Sequence, residues 1–96
     1  MAEMETVVLD GERMLNRRAA HDHLAAQLAL PEYYGRSLDA LYDLLTERKG
    51  PTRLVVRHRR TMENWLGAYA AALCQTLEDA DRVNPGLEVL FPEEDS

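Results

Sequence analysis

The chain has 96 residues and a mass of 10.9 kDa, 46% hydrophobic and 29% charged, which is enough for one hydrophobic core and too little for two, and so excludes a multidomain enzyme. Its apolar run at Ala70 to Cys74 falls far short of the roughly 20 residues needed to cross a bilayer, and the acidic start Met-Ala-Glu-Met-Glu-Thr lacks the basic-then-apolar pattern of a secretory signal, predicting a cytoplasmic protein. Seventeen acids against eleven bases give a net charge of −6, which argues against nonspecific binding of nucleic acid phosphates and favours a cationic partner.

Thr6 to Leu9 is a short β-branched apolar run closed by the turn pair Asp10-Gly11, and it predicts a buried strand. Asn16 can cap a helix over residues 17–29, with Ala20, Leu24 and Leu28 on one side and Pro31 ending it. Ser37 can cap a second helix whose inner face carries Leu38, Leu41, Leu44 and Leu45, before Thr46 to Pro51 breaks the pattern. Leu54-Val55-Val56 predicts a second buried strand. From Thr61, Met62, Leu66, Tyr69, Leu73, Leu77 and Ala80 recur at helical spacing, with a bend at Gly67 and an end at Asn84-Pro85-Gly86. Leu87 to Phe91 predicts the last strand, and residues 92–96 a frayed acidic tail. Strands separated by helices pair in parallel through right-handed crossovers. The expected architecture is therefore α/β, one domain over residues 1–96, with a three-stranded parallel sheet flanked by about four helices and both sheet faces covered.

Charge is unevenly spread: residues 1–12 carry −4, residues 13–60 carry +5 and residues 61–96 carry −7. On the second helix, Asp39, Asp43 and Thr46 point away from the leucines, with Tyr42 at the boundary. Like charges one turn apart disfavour an isolated helix, so this pair reads either as a solvated face or as an anionic docking surface with Tyr33 and Tyr42 as aromatic anchors. Neither a third group placed to split the two carboxyl pKa values nor a Gly-rich phosphate loop accompanies the pair, so hydrolase and Mg²⁺ readings are weak. His21 and His23, two apart on a helix, cannot share a metal, and they read as surface or partly buried side chains. Arg57-His58-Arg59-Arg60 reads as a cluster that solvates a strand end or pairs with nearby acids. The lone Cys74 reads as a small core residue. No metal, cofactor, small-molecule substrate or direct nucleic acid partner is expected.

The segment Leu30 to Thr46, LPEYYGRSLDALYDLLT, preceded by Asp10-Gly11 and followed by Pro51 and an apolar strand, resembles the barstar family of bacterial ribonuclease inhibitors. The resemblance extends in element order from about Val7 to Phe91. It implies a three-stranded parallel sheet with flanking helices, and a cytoplasmic, non-enzymatic inhibitor that occludes a secreted, guanyl-specific ribonuclease one-to-one. It also implies a ribonuclease-binding surface of Tyr33, Gly35, Ser37, Leu38, Asp39, Tyr42, Asp43, Thr46 and Asp79. In that surface Asp43 enters the enzyme's phosphate site, Asp39 pairs with an arginine nearby, Tyr33 packs on a catalytic histidine, and Gly35 permits close backbone approach. Asp79 stands where the family often has Glu. Ser37, Tyr42 and Glu47-Arg48 depart from the Asn, Trp and Gly-Trp of the best-known member, reducing aromatic contact and altering charge at the interface edge. The alternative is an immunity or interaction module of the same fold for a non-ribonuclease toxin or a regulatory partner.

Overall fold

The computed structural model describes residues 3–92. Strand β1 (Glu5–Asp10) runs through a single 3-10 turn (Gly11–Arg13) into helix α1 (Arg17–Leu28); a loop leads to α2 (Leu38–Glu47), then β2 (Thr52–Arg57), α3 (Arg59–Leu66), α4 (Ala68–Val83) and β3 (Leu87–Leu90). The strands pair in parallel in the order β1-β2-β3, with Val7, Leu54 and Val89 aligned across the sheet. The expected α/β architecture is thus present, and each helix end has a local cause. Asn16 and Ser37 accept hydrogen bonds from the amides of Ala19 and Ala40, satisfying donors that the first turns of α1 and α2 leave open. Ala29, in the left-handed conformation at φ 53°, closes α1 before Pro31. Asn84 does more than stop α4. Its side-chain amide donates to the carbonyls of Leu45 and Arg48 at the end of α2, and its Oδ1 accepts from the Gly86 amide ahead of β3.

Three expectations need correction. The helical stretch expected from Thr61 begins at Arg59 and is two helices, because Gly67 takes φ 58° and ψ −132°, a backbone that essentially only glycine adopts. Phe91 lies beyond β3 and packs under the Arg59 guanidinium at 4.6 Å. Among the described residues, helices cover only one face of the sheet. Burial alternates along β1 and β2, so Val7, Leu9, Leu54 and Val56 face the helices, whereas Val8 and Leu90 are exposed and Arg53 pairs with Glu88 at 2.6 Å across the outer face. The apolar runs predicted two-sided burial; the interspersed Arg53 and Arg57 mark the face turned to water. Of the expected acidic tail, residues 93–96 lie outside the described residues.

The core is one cluster drawn from every helix and strand, centred on Leu9, Leu24, Leu41, Leu45 and Leu54, all with no exposed surface. Cys74 belongs to it, and burial pushes its thiol above the ordinary value, as an inert core residue requires. Both free edges of the sheet carry side-chain partners. On β1, Gln27 donates to the Val8 carbonyl and His23 accepts from the Asp10 amide; on β3, Asp81 accepts from the Val89 amide. Gly11 lies beneath the start of α3 so closely that a Cβ there would stand 2.2 Å from the His58 carbonyl oxygen. Gly11→Ala therefore forces two backbones apart, and it is expected to lower unfolding stability by about 1–3 kcal/mol, read as a reduced urea midpoint at unchanged slope.

Candidate functional site

The loop from Pro31 to Ser37 and helix α2 carry eight of the nine expected site residues, and two anchors fix them to the body. The first is Tyr34, buried, whose hydroxyl meets His21 Nδ1 at 2.5 Å; the other imidazole nitrogen, Nε2, meets the Tyr69 hydroxyl of α4 at 2.7 Å. The second is Arg36, which holds Asp22 of α1 at 2.7 Å and is itself left-handed at φ 52°. This hydrogen bond from Arg36 keeps the Asp22 carboxyl below its ordinary value. With Tyr34 turned inward, its neighbour Tyr33 projects outward and is 81% exposed. The tyrosine pair thus divides its work, one ring holding the loop and the other facing solvent.

His21 is 2% exposed, which corrects the expectation of a surface or partly buried histidine. Burial, reinforced by the Arg36 charge, lowers its pKa, so the ring is neutral in the fold. A neutral imidazole accepts from one tyrosine hydroxyl and donates to the other. Burial likewise raises the pKa of Tyr34, keeping its hydroxyl protonated.

Asp39 stands between two hollows. One, of about 560 Å³, lies between α1 and the start of α2 and is walled by Arg17, Arg18 and Arg36 over Tyr69. The other, of about 380 Å³, lies between α2 and α4 and is lined by Tyr42, Asp79, Arg82 and Val83. Leu38 and Asp39 border both. The structure therefore brings Leu38, Asp39, Tyr42 and Asp79 to one hollow and Ser37, Leu38 and Asp39 to the other. Asp43 is exposed and Thr46 half-buried further along α2, where the Thr46 hydroxyl donates to the Asp43 carbonyl. Asp79 is tied within its own helix, its Oδ1 accepting from Gln75 and Arg82.

At Gly35 a Cβ would meet only the Ala40 methyl at 3.7 Å, and the left-handed residue is Arg36 next to it. The Arg48 guanidinium turns inward to the Leu28 carbonyl, the Thr52 hydroxyl and Glu5, tying the end of α2 to α1 and the sheet. The basic cluster pairs with acids as expected, His58 with Asp10 at 2.8 Å and Arg59 with Glu63 at 3.4 Å.

The site residues that the sequence reading missed are His21 and Tyr34, which frame the loop, and Arg17, Arg18 and Arg36, which wall the hollow. One signal was present: His21 adjoins Ala20 on the apolar side of α1, where a polar ring requires partners.

A family model described as Barstar (barnase inhibitor) matches residues 4–91. A Bacillus subtilis protein named "Putative ribonuclease inhibitor YrdF" is 36% identical over 78 residues, covering 80% of this chain and 86% of that protein.

The buried imidazole sets a pH dependence. The unfolded chain takes up a proton at the ordinary value of 6.5, whereas folded His21, and His23 with the same downward shift, resist it until lower pH. Stability is therefore expected to be level between about pH 7 and 8 and to fall as pH drops below about 6.5, in urea unfolding followed across this range. His21→Leu should flatten part of that slope while lowering stability at neutral pH, because both hydroxyls lose their partner.

Proposed function

Since the chain belongs to the barstar family, we propose that it inhibits a small secreted ribonuclease of the guanyl-specific kind by covering the active site one-to-one with the loop and outer face of α2. A ribonuclease that cleaves a phosphodiester holds arginine, lysine and histidine around the phosphate, so carboxylates presented in the right geometry can occupy that site in the substrate's place. The observation that carries this reading is that Asp39 and Asp43 are exposed on the face of α2 opposite Leu41 and Leu45 and make no ion pair among the described residues. Asp39 stands in the first turn of α2, where the helix dipole favours an acid, and neither carboxylate is neutralised by a cation of the described residues, so both charges are available to a partner.

In this reading Asp43 enters the phosphate site and Asp39 pairs beside it. Tyr33 and Tyr42 supply flat aromatic area with little side-chain entropy to lose. Gly35 lets the enzyme's surface approach the loop, and Leu38, Ser37, Thr46 and Asp79 complete the contact. Inhibition inside the producing cell, before the enzyme is exported, protects that cell's RNA. The chain itself has no catalytic task, and needs no metal or cofactor for this one.

The test is an activity titration of small secreted guanyl-specific bacterial ribonucleases with this protein. A sharp one-to-one endpoint supports the reading; full enzyme activity in excess protein, across the panel, refutes it and passes the function to a non-ribonuclease partner. Within an inhibited complex, Asp43→Ala strands desolvated cations on the enzyme, and affinity is expected to fall by about 3–5 kcal/mol, measured as the shift in inhibition constant. Association should also slow as salt rises while dissociation changes less, because screening acts mainly on the encounter. Stopped-flow mixing at several salt concentrations checks this.

A further inference from the structure

The hollow on the α1 side of Asp39 has a charge opposite to that of the surface described above. Arg17, Arg18 and Arg36 converge on it from two elements, against Asp22 and Asp39. The Arg17 guanidinium lies 4.4 Å over the Tyr69 ring and has no carboxylate within ion-pair distance among the described residues. Tyr69 is in turn held by His21, so the stack places Arg17 on a fixed platform. Arg36 reaches the hollow only by adopting φ 52°, a conformation that disfavours a residue with a Cβ by about 1–2 kcal/mol. Asp22 engages its Nε, and Arg18 approaches the same carboxylate only to 3.8 Å. A guanidinium offers five N–H donors, so most of the donors around this hollow have no anionic acceptor from the chain.

We propose that this hollow receives an acidic side chain of the bound ribonuclease, a glutamate or aspartate gripped between Arg17 and Arg36. The inference rests on the inhibitor reading and extends it: the surface reads a pattern of charges, cations opposite Asp39 and Asp43 and a carboxylate opposite the arginines. A planar guanidinium suits a carboxylate because two parallel N–H groups meet its two oxygens. A polyanion fits poorly. RNA following the arginines would pass Asp39 in the same wall, on a chain of net charge −6. Enzymes bearing lysine or arginine at the matching place would meet like charge on docking, so the hollow sorts among ribonucleases that share the same phosphate-site chemistry.

The experiment compares Arg17→Glu and Arg36→Glu with the unaltered protein on whichever secreted ribonuclease of the panel it inhibits most tightly. Arg17→Met, which keeps the stem over Tyr69, separates charge from fold; Arg36→Gly keeps the left-handed backbone but gives up the Asp22 anchor, so its melt is compared with that of Asp22→Asn, which breaks the same anchor and leaves the arginine. Each reversal is expected to raise the inhibition constant at least about tenfold, and each neutral variant less, with the thermal melt of Arg17→Met unchanged. Replacing one acidic residue of the enzyme by lysine should restore binding to the reversed inhibitor. If the protein inhibits its ribonuclease and all four variants inhibit equally well, this proposal falls and the inhibitor reading stands. If the unaltered protein inhibits none of the panel, both fall. Arg17- and Arg36-dependent binding of a short RNA, followed by fluorescence anisotropy, would overturn the proposal in favour of a nucleic acid site.

Discussion

A single buried imidazole joins three separate parts of this chain. His21 leaves α1 and engages Tyr34 of the loop with one nitrogen and Tyr69 of α4 with the other. Buried polar atoms demand partners, and among the described residues no buried side-chain nitrogen or oxygen lacks one. The demand is mutual, so the loop, α1 and α4 have one joint arrangement in which all three side chains are satisfied. From it follow the outward turn of Tyr33, the reach of Arg36 to Asp22 and the height at which α2 begins. The loop has little apolar surface with which to hold itself. Its order is borrowed from the body through these hydrogen bonds.

Helix α2 shows a strict division between its two sides. Leu41 and Leu45 bury completely in the core, where α2 packs on α4, and both ends are tied down by side chains, Ser37 at the start and Asn84 at the finish. The outer side, with Asp39 and Asp43, is exposed, and beyond Asp39's place in the first turn it makes no ion pair among the described residues. Carboxylates one turn apart repel, and the helix tolerates them because packing on the other side more than compensates. Rigidity matters for a charged docking face, since groups already in place lose less entropy on binding.

Much of the fold was legible in the sequence because its signals are local and periodic. Asn16 and Ser37 marked helix starts, Pro31 and Asn84-Pro85-Gly86 marked ends, and the leucine spacing of α2 separated its inner side from its outer one. The resemblance over residues 30–46 added the family and the expected binding surface, and the family model confirms the family. What escaped depends on contacts between residues far apart in sequence. His21 meets Tyr69 across 48 positions, Asn84 meets Leu45 across 39, and Arg48 meets Glu5 across 43. No periodicity encodes such pairs. The need for Gly11 is of the same kind, since its close neighbour is the distant His58 carbonyl. Arg36 escaped for a different reason: in sequence it is one more polar loop residue, and its left-handed backbone and its bond to Asp22 appear only in the fold.

The side chains along the sheet's edges bear on how such a protein behaves when it is concentrated. A strand with bare N–H and C=O groups is a template on which a second copy can add its own strand, and assemblies of that kind grow without limit. Here Gln27, His23 and Asp81 already occupy edge groups of β1 and β3, so an added strand would have to displace internal partners before gaining its own. In the one-to-one inhibition proposed above, each copy lost to aggregation would leave one enzyme molecule unguarded. Three inconspicuous hydrogen bonds thereby help keep the supply of working molecules equal to the supply of chains.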